Sequence, residues 1–550
     1  MGRIKLIRRT VIKEVRVMNS MDGTIRSWLS QYRTAGVNAA WFLLGQHSNE
    51  KPNAAALHVV SSPGQENTYT FSDLDNLTAH LAGGLSALGV GPGDRVAALL
   101  PKGLELTLTA LATWRLGAVY VPLFTAFGNE AVGYRLEDSK TKVVVTDANN
   151  RAKLPSSPIE ALHAIVTTQT ADSRDVSFQN LLAFSPKSGW TTRDGDDAMV
   201  LLYTSGTTGQ PKGVVVPIWA LAAFEGYMRF GLDLRPDDRF WNLADPGWAY
   251  GLYYGLIGPL LLGQATLAYQ GAFDPDTLTQ LLEQYHITNF AAAPTAFRAI
   301  RATNPTPKAT ALRIISSAGE PLNPEVSQWS ETVFGLPIYD HYGQTELGMV
   351  INNHHDSRVD RPVKPGSMGV AMPGFRAVVV DDNGSELGSA VEGHLAIDTH
   401  ASPLFWFSGY YQAPDRTHER FTTDGRYYLT GDDASRDDEG YFYFSGRSDD
   451  IILSAGYRIG PFEVENVLMT HPSVAECAVV GVPDELRGES IKAYIVLRST
   501  HAADDQLAAE LREWVRQRLA KTAYPREIAF VATLPKTPSG KIQRYQLRHE

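Results

Sequence analysis

Short apolar runs alternate with stretches of helical period through the first two thirds of the chain. Residues 95–100 (RVAALL) read as a strand and 105–116 as the helix that follows. The theme returns at 142–146 (KVVVT), 198–203 (AMVLLY), 287–292 (ITNFAA) and 312–316 (LRIIS), with helical patterns at 276–285 and 324–333. Alternation of this kind predicts α/β layering. From about Phe375 the pattern becomes strand-like runs with turn residues between them (RAVVVDDNG, GHLAID, RYYLTGD, YFYFSG), which predicts a mostly β module. After Ser448 a smaller unit follows, read as helix, strand, strand, helix and strand. The expected fold class is α/β. It comprises a large N-terminal domain (1–448) of layered α/β subdomains plus a β-rich module, and a small α+β C-terminal domain (449–550).

Composition narrows the function classes. The 550 residues suffice for several folding units of roughly 150 residues each. A hydrophobic share of 43% with 20% charged residues is an ordinary globular balance. A net charge of -10 and a pI near 5.8 argue against a nucleic-acid binder, which needs a basic face. Cys477 is the one cysteine, so no intrachain disulfide exists and a reducing cytoplasm is the expected setting. Its surroundings (AECAVVG) read as a buried strand rather than a catalytic thiol. No run reaches the ~18 apolar residues of a membrane span; residues 252–262 are apolar but broken by glycine and Pro259, so they read as core. The basic first seventeen residues (MGRIKLIRRTVIKEVRV) lack the apolar centre of a secretory signal. They read as a disordered segment or as a start upstream of the true initiator, Met18 or Met21, in preference to an import sequence.

The first chemistry-bearing segment is residues 203–213 (YTSGTTGQPKG). A strand runs into a loop of small and hydroxylated residues ending in a lysine. Glycines such as Gly206 and Gly209 let backbone N–H groups approach phosphate oxygens. Thr204, Ser205, Thr207 and Thr208 add hydroxyls, and Lys212 adds a charge. Pro211 stands where a Walker A loop needs its second glycine, so this is a different phosphate loop.

That loop is followed in order by SAGEP (317–321), HYGQTE (341–346), YYLTGD (427–432), GRSDDIILSAGYRIGPFEVE (446–465) and PKTPSGKIQR (535–544). The set resembles the adenylate-forming superfamily of acyl-CoA synthetases, nonribosomal peptide adenylation domains and luciferases. The closest likeness is to acetyl- and medium-chain acyl-CoA synthetases. The resemblance implies a two-step reaction. ATP and a carboxylic acid give acyl-AMP and pyrophosphate, and coenzyme A then takes the acyl group; the cofactors are ATP, Mg²⁺ and coenzyme A. Negative charge develops at the α-phosphate and must meet positioned cations and donors.

The resemblance also implies roles. Thr345 contacts the α-phosphate and Glu346 holds Mg²⁺, a hard ion suited to an oxygen ligand. Gly319, Glu320 and Pro321 line the adenine, with Tyr342, Gly343 and Gln344 beside the nucleotide. Asp432 takes the ribose hydroxyls, with Arg447 as companion. Lys541 reaches across from the small domain to orient carboxylate and ATP, as a point charge on a long stem can. The small domain is expected to be mobile, turning about Asp449 between two poses. In the second pose Gly456, Tyr457 and Arg458 line the pantetheine tunnel.

Trp248, Ala249, Tyr250, Ala318 and Gly343 are the implied acyl pocket. Acetyl-CoA synthetases carry tryptophan at the position of Gly343, so glycine here implies an open pocket and a short- to medium-chain fatty acid. Tyr250 is the contrary sign, because it could fill that space or meet an aromatic or branched acid. Two rival functions are a stand-alone adenylation enzyme loading a carrier protein and a non-catalytic nucleotide-binding homologue. Asp245 stands near where amino-acid activators pair the substrate amine. Intact Lys541, Glu346 and Asp432 argue for catalysis. The expected partners are small molecules, with an acyl carrier protein as alternative acceptor, no nucleic acid, and a monomer or homodimer.

Overall fold

The computed structural model describes residues 21–169, 172–204, 210–303, 305, 311–454, 457–484, 487–498, 503–519, 523–536 and 542–548. The basic start, the phosphate-loop residues 205–209, Gly456 and Lys541 lie outside them.

Among the described residues two large sheets carry the N-terminal part. One has seven strands, parallel from Ala198–Thr204 through Val119–Pro122, Arg95–Leu99, Val143–Thr146 and Ala164–Thr167 to Val176–Ser177, with Lys212–Pro217 antiparallel at the edge. The other has nine. Its parallel centre runs Tyr339–Gln344, Ile314–Ala318, Asn289–Ala292, Phe240–Asn242, Thr266–Tyr269 and Ala55–Ser62, with antiparallel strands at both edges. Helices between the strands make these crossovers possible. The expected β module is a four-stranded antiparallel sheet of Ala377–Val380, Gly393–Asp398, Tyr427–Arg436 and Phe442–Arg447.

Local chemistry explains where the elements start. The helix expected at 276–285 is Pro275–Gln284, because Asp274 caps it by accepting from Thr277 N and Pro275 takes the first helical position. Pro324 likewise opens Pro324–Phe334, and Gly335 ends it in the left-handed region at φ 75°. The strand expected at 312–316 lies two residues later, at Ile314–Ala318, and that expected at 287–292 is shortened to Asn289–Ala292. Residues 252–262 are buried as expected, but as a π-helical turn, Leu252–Ile257, running into the short helix Gly258–Leu261.

The C-terminal unit departs from the expected order at both ends, adding a short helix, Arg544–Leu547, after its last strand. It opens with a hairpin, Ile452–Ser454 and Tyr457–Ile459, before the helix Pro461–Met469. Strands of three residues show too few alternations to be read from sequence. The unit has its own apolar core, built on Ile452, Val464, Leu468, Val479, Ile491 and Val515 among others. Cys477 is buried there in strand Val474–Asp484, and burial pushes its thiol well above the usual range. That is an inert thiol.

Candidate active site

The carboxyl ends of the central parallel strands are the expected place for a ligand in an α/β sheet. Here strand Ile314–Ala318 ends in Gly319, at φ +96°, with nothing within 4 Å of where a Cβ would stand. Glycine is therefore required by the backbone angle, while open space lies beside it. The next residue, Glu320, is held by Arg298 Nη2 at 2.6 Å and by the Thr295 hydroxyl at 2.7 Å. Its side chain fixes the segment rather than reaching for a ligand.

Strand Tyr339–Gln344 runs alongside and sends its side chains to the β module. Tyr342 OH donates to Asp432 Oδ2 at 2.5 Å, and Gln344 Nε2 donates to the same oxygen at 2.8 Å and to the Thr430 carbonyl at 2.9 Å. Asp432 faces Arg447 in the strand register, and Arg447 Nε lies 3.2 Å from Asp432 Oδ1. The Arg447 pKa is raised, first by Asp432, against desolvation. Strand Tyr339–Gln344 and the neighbouring hairpin strand thus converge on one carboxylate that is only 4% exposed. Asp340, which the sequence reading missed, is half-buried on this strand; desolvation pushes its carboxyl up to about 8, opposed by backbone hydrogen bonds from Leu322 and His341. Its signal was a lone acid just before HYGQTE.

Beyond Gln344 the chain turns, and Glu346 is buried with Oε1 accepting from Tyr410 OH at 2.8 Å. The Thr345 carbonyl accepts from Tyr253 OH at 3.1 Å, which anchors the turn. The Lys212 ammonium sits 5.0 Å from the centroid of the Tyr410 ring. Burial, then Arg420 and Arg416, push the Lys212 ammonium below its ordinary value. Desolvation opposes the Arg420 charge, but Tyr428, Tyr410 and Glu346 hold its pKa above the usual one. Arg416 donates to the Gln210 carbonyl at 3.2 Å. Three cations therefore gather where the glycine-rich loop returns to strand Lys212–Pro217. Arg416, Arg420 and Tyr410 were missed because they lie in a stretch without a motif.

A single buried carboxylate with cations around it suits a Mg²⁺ that is shared with phosphate oxygens. No group of three or more His, Cys, Asp or Glu that could hold a metal unaided occurs among the described residues. Glu346 is the residue that would hold the ion, which would neutralise phosphate charge.

The region around Trp248 is built differently. Trp248 packs against Phe124 and Phe127, with ring centroids 5.5 and 5.4 Å away, and its indole Nε1 has no partner among the described residues. Ala249 and Tyr250 follow on a short helical turn. Tyr250 OH is 3.2 Å from Tyr227 OH, which is 2.7 Å from His341 Nδ1; His341 pairs with Ala318 across the sheet. The structure therefore brings Tyr250 and Ala318 to one face. It does not bear out Gly343 as the opener of the pocket. A Cβ there would stand 2.1 Å from the Gly348 carbonyl oxygen and 2.7 Å from Met349 Cα. The register shifts between Tyr342 and Gly343 against strand Gly348–Asn352, and the glycine admits that close backbone approach. Asp245 accepts from Gly247 N at 2.8 Å, so it shapes the loop into Trp248. Burial raises its pKa, opposed by the nearby Lys102 charge and the Gly247 N–H.

The segment named as hinge has a sharp change of allegiance. Ser448 Oγ donates to Asp433 Oδ1 of the β module at 2.5 Å. One residue on, the Asp449 carbonyl and Asp450 Oδ1 each accept from Arg548 Nη2 of the C-terminal unit at 2.8 Å. Tyr457 is 55% exposed on the hairpin that follows, and the Arg458 side chain lies outside the described residues.

Residues 44–411 match the family of AMP-binding enzymes, and residues 463–541 match the AMP-binding enzyme C-terminal domain. The chain is 37% identical over 529 residues to the acetyl-coenzyme A synthetase of Bacillus subtilis (strain 168), covering 94% of this chain and 91% of that one. It is 38% identical over 505 residues to the mitochondrial acyl-coenzyme A synthetase ACSM3 of Rattus norvegicus, covering 89% and 86%. The crystal structure of a Brucella canis acyl-CoA synthetase superposes with a TM-score of 0.75 at 44% identity, covering 96% of each chain.

Proposed function

The chain belongs to the family of AMP-binding enzymes, and from that premise we propose how its residues share the work of an AMP-forming acyl-CoA synthetase. The enzyme is an acid–thiol ligase that uses ATP, Mg²⁺ and coenzyme A. A carboxylate oxygen attacks the α-phosphate, pyrophosphate leaves, and the acyl-AMP then yields its acyl group to the coenzyme A thiol with release of AMP.

The open space beside Gly319 supports a planar base lying on the Gly319–Pro321 backbone. Asp340, on the neighbouring strand, would supply its carboxyl to the edge of that base. The convergence of Tyr342, Gln344 and Arg447 on Asp432 carries the assignment of a ribose-binding carboxylate. Such a carboxylate is oriented before the sugar arrives, so little is lost in ordering it. Lys212, Arg416 and Arg420 lie where departing pyrophosphate would meet positive charge. Lys541 is proposed to enter from the C-terminal unit during the first step, and the unit (449–550) to turn about Asp449 before the second. The Ser448-to-Asp449 change of partners supports that pivot.

For the acid, a short- to medium-chain substrate remains the reading, now carried by Ala249, Ala318 and Tyr250 rather than by Gly343. No helix among the described residues is long and apolar enough to cross a membrane. The test is acid-dependent exchange of labelled pyrophosphate into ATP with a panel from acetate to octanoate and benzoate. Exchange with at least one acid, without coenzyme A present, supports the reading. Binding of ATP with no exchange for any acid contradicts it.

A further inference from the structure

The hydrogen-bond chain that ends at Tyr250 has a direction, and the direction limits what the acyl pocket can accept. His341 Nε2 lies 2.8 Å from the Asn353 carbonyl oxygen, and Nδ1 lies 2.7 Å from the Tyr227 hydroxyl. A carbonyl oxygen can only accept, so Nε2 carries the hydrogen. Burial keeps a second proton off the ring, pushing its pKa down to about 3. Nδ1 is therefore bare and accepts, and the one hydroxyl hydrogen of Tyr227 is committed to it. With the Tyr227 hydrogen so committed, the 3.2 Å contact between the two phenols is a hydrogen bond only when Tyr250 donates to the Tyr227 oxygen. The reverse order would aim a bare Nε2 at a carbonyl oxygen, two acceptors facing each other inside the protein. So bonded, the Tyr250 oxygen presents its lone pairs to whatever it meets.

The neighbouring tyrosines do not change this. Tyr253 donates to the Thr345 carbonyl, and Tyr254 accepts from Met349 N at 2.9 Å. A second observation marks the same sheet face as polar. Asn352 pairs with His341 in the register and is 0% exposed, yet neither atom of its side-chain amide has a partner among the described residues. A face built only for an alkyl tail would not carry a histidine, two phenols and an amide.

We propose that the acid this enzyme takes carries a hydrogen-bond donor, a hydroxyl or an N–H, on the part of the acyl group that reaches Tyr250. The inference rests on the reading of Tyr250 and Ala318 as acyl-pocket residues. A group that only accepts, such as a ketone or an ether oxygen, meets the Tyr250 lone pairs and is disfavoured. An alkyl group leaves the phenol lone pairs without a donor and falls between.

The experiment compares kcat/KM for acid-dependent pyrophosphate release across size-matched acids. The set is butyrate with 4-hydroxybutyrate, hexanoate with 5-hydroxyhexanoate and 5-oxohexanoate, and benzoate with 3- and 4-hydroxybenzoate and 4-methoxybenzoate. At least one hydroxy acid should exceed its parent by about fivefold or more, the scale of one net hydrogen bond, and the oxo and methoxy acids should fall below their parents. Tyr227→Phe removes the acceptor that holds the Tyr250 hydrogen, so the order should reverse in favour of the oxo acid. Tyr250→Phe should bring hydroxy and parent acids within about twofold of each other. Melting temperatures show whether each variant folds, and the wild-type ratios stand if one does not. Equal rates for hydroxy and parent acids, or a wild-type preference for acceptor-only acids, overturn the inference while leaving the ligase activity intact. Release with none of the acids overturns the ligase reading itself, and this inference with it.

Discussion

The proposed nucleotide side and the proposed acyl side share the ends of the same strands, but they are finished in opposite ways. On the nucleotide side each carboxylate already has its partners: Asp432 has Tyr342, Gln344 and Arg447, Glu320 has Arg298 and Thr295, and Glu346 has Tyr410. On the acyl side the polar groups form a single file that ends at Tyr250, and the Asn352 amide has no partner among the described residues. The contrast teaches where each side places its selectivity. A substrate common to every turnover is met by a wall fixed in advance, whereas choice among acids is left to whichever group completes an unfinished chain.

The largest effect expected on the nucleotide side is from Lys541→Ala. Acyl-adenylate formation should fall by about 10²–10³-fold, as for loss of one group that stabilises developing charge. Thioester formation from supplied acyl-adenylate should stay within a few-fold of wild type, and equal loss in both half-reactions would remove Lys541 from the first step alone. Asp449→Pro asks whether the paired wall stays fixed while the small unit turns. Proline locks φ near -65°, so thioester formation should drop by about 10²-fold, the scale of misplaced reacting groups. Adenylation should persist; single-turnover measurements of each half-reaction decide, and two normal half-reactions would put the pivot elsewhere.

Arg420→Gln should raise KM for ATP by about tenfold, the worth of one charge-assisted contact, and should raise the Lys212 pKa by removing a like charge beside it. An unchanged KM would make Arg420 a support for Tyr428 and Tyr410 only. Gly343→Ala carries the smallest effect and bears on the acyl side. The added methyl meets the Gly348 carbonyl, so stability should fall by about 1–3 kcal/mol, read by denaturant melting. The order of preference among acids should not change. A changed chain-length order with full stability would restore Gly343 as a pocket residue.

The Asp432 part of the paired wall was legible because its residues sit in contiguous motifs that carry the family resemblance, whereas Tyr410, Arg298 and Thr295 lie outside those motifs. HYGQTE, YYLTGD and GRSDD name Tyr342, Gln344, Asp432 and Arg447 before the strand register shows them meeting. Arg416 and Arg420 were not legible, since their part depends on a stretch that only folding brings to Lys212. The Tyr227–His341 bond joins residues 114 positions apart, and Tyr227 stands on a π-helical turn that no periodicity announces. Gly343 shows a related limit: the loss of a side chain looks the same in sequence whether it opens a cavity or admits a neighbouring strand, and here the Gly348 backbone stands against it. The α/β layering was plain from alternation, while strand ends were set by caps and by proline at helix starts, which shift a boundary by one or two residues.

The most direct test of the central claim is a rapid-mixing experiment on the full chain. Enzyme, ATP, Mg²⁺ and an accepted acid are incubated without coenzyme A, then coenzyme A is added and samples are quenched for mass spectrometry. The account predicts enzyme-held acyl-AMP and an equal amount of pyrophosphate before the addition, converted afterwards to acyl-CoA and AMP in a one-to-one ratio. ADP in place of AMP, or acyl-AMP that coenzyme A does not discharge, would contradict it.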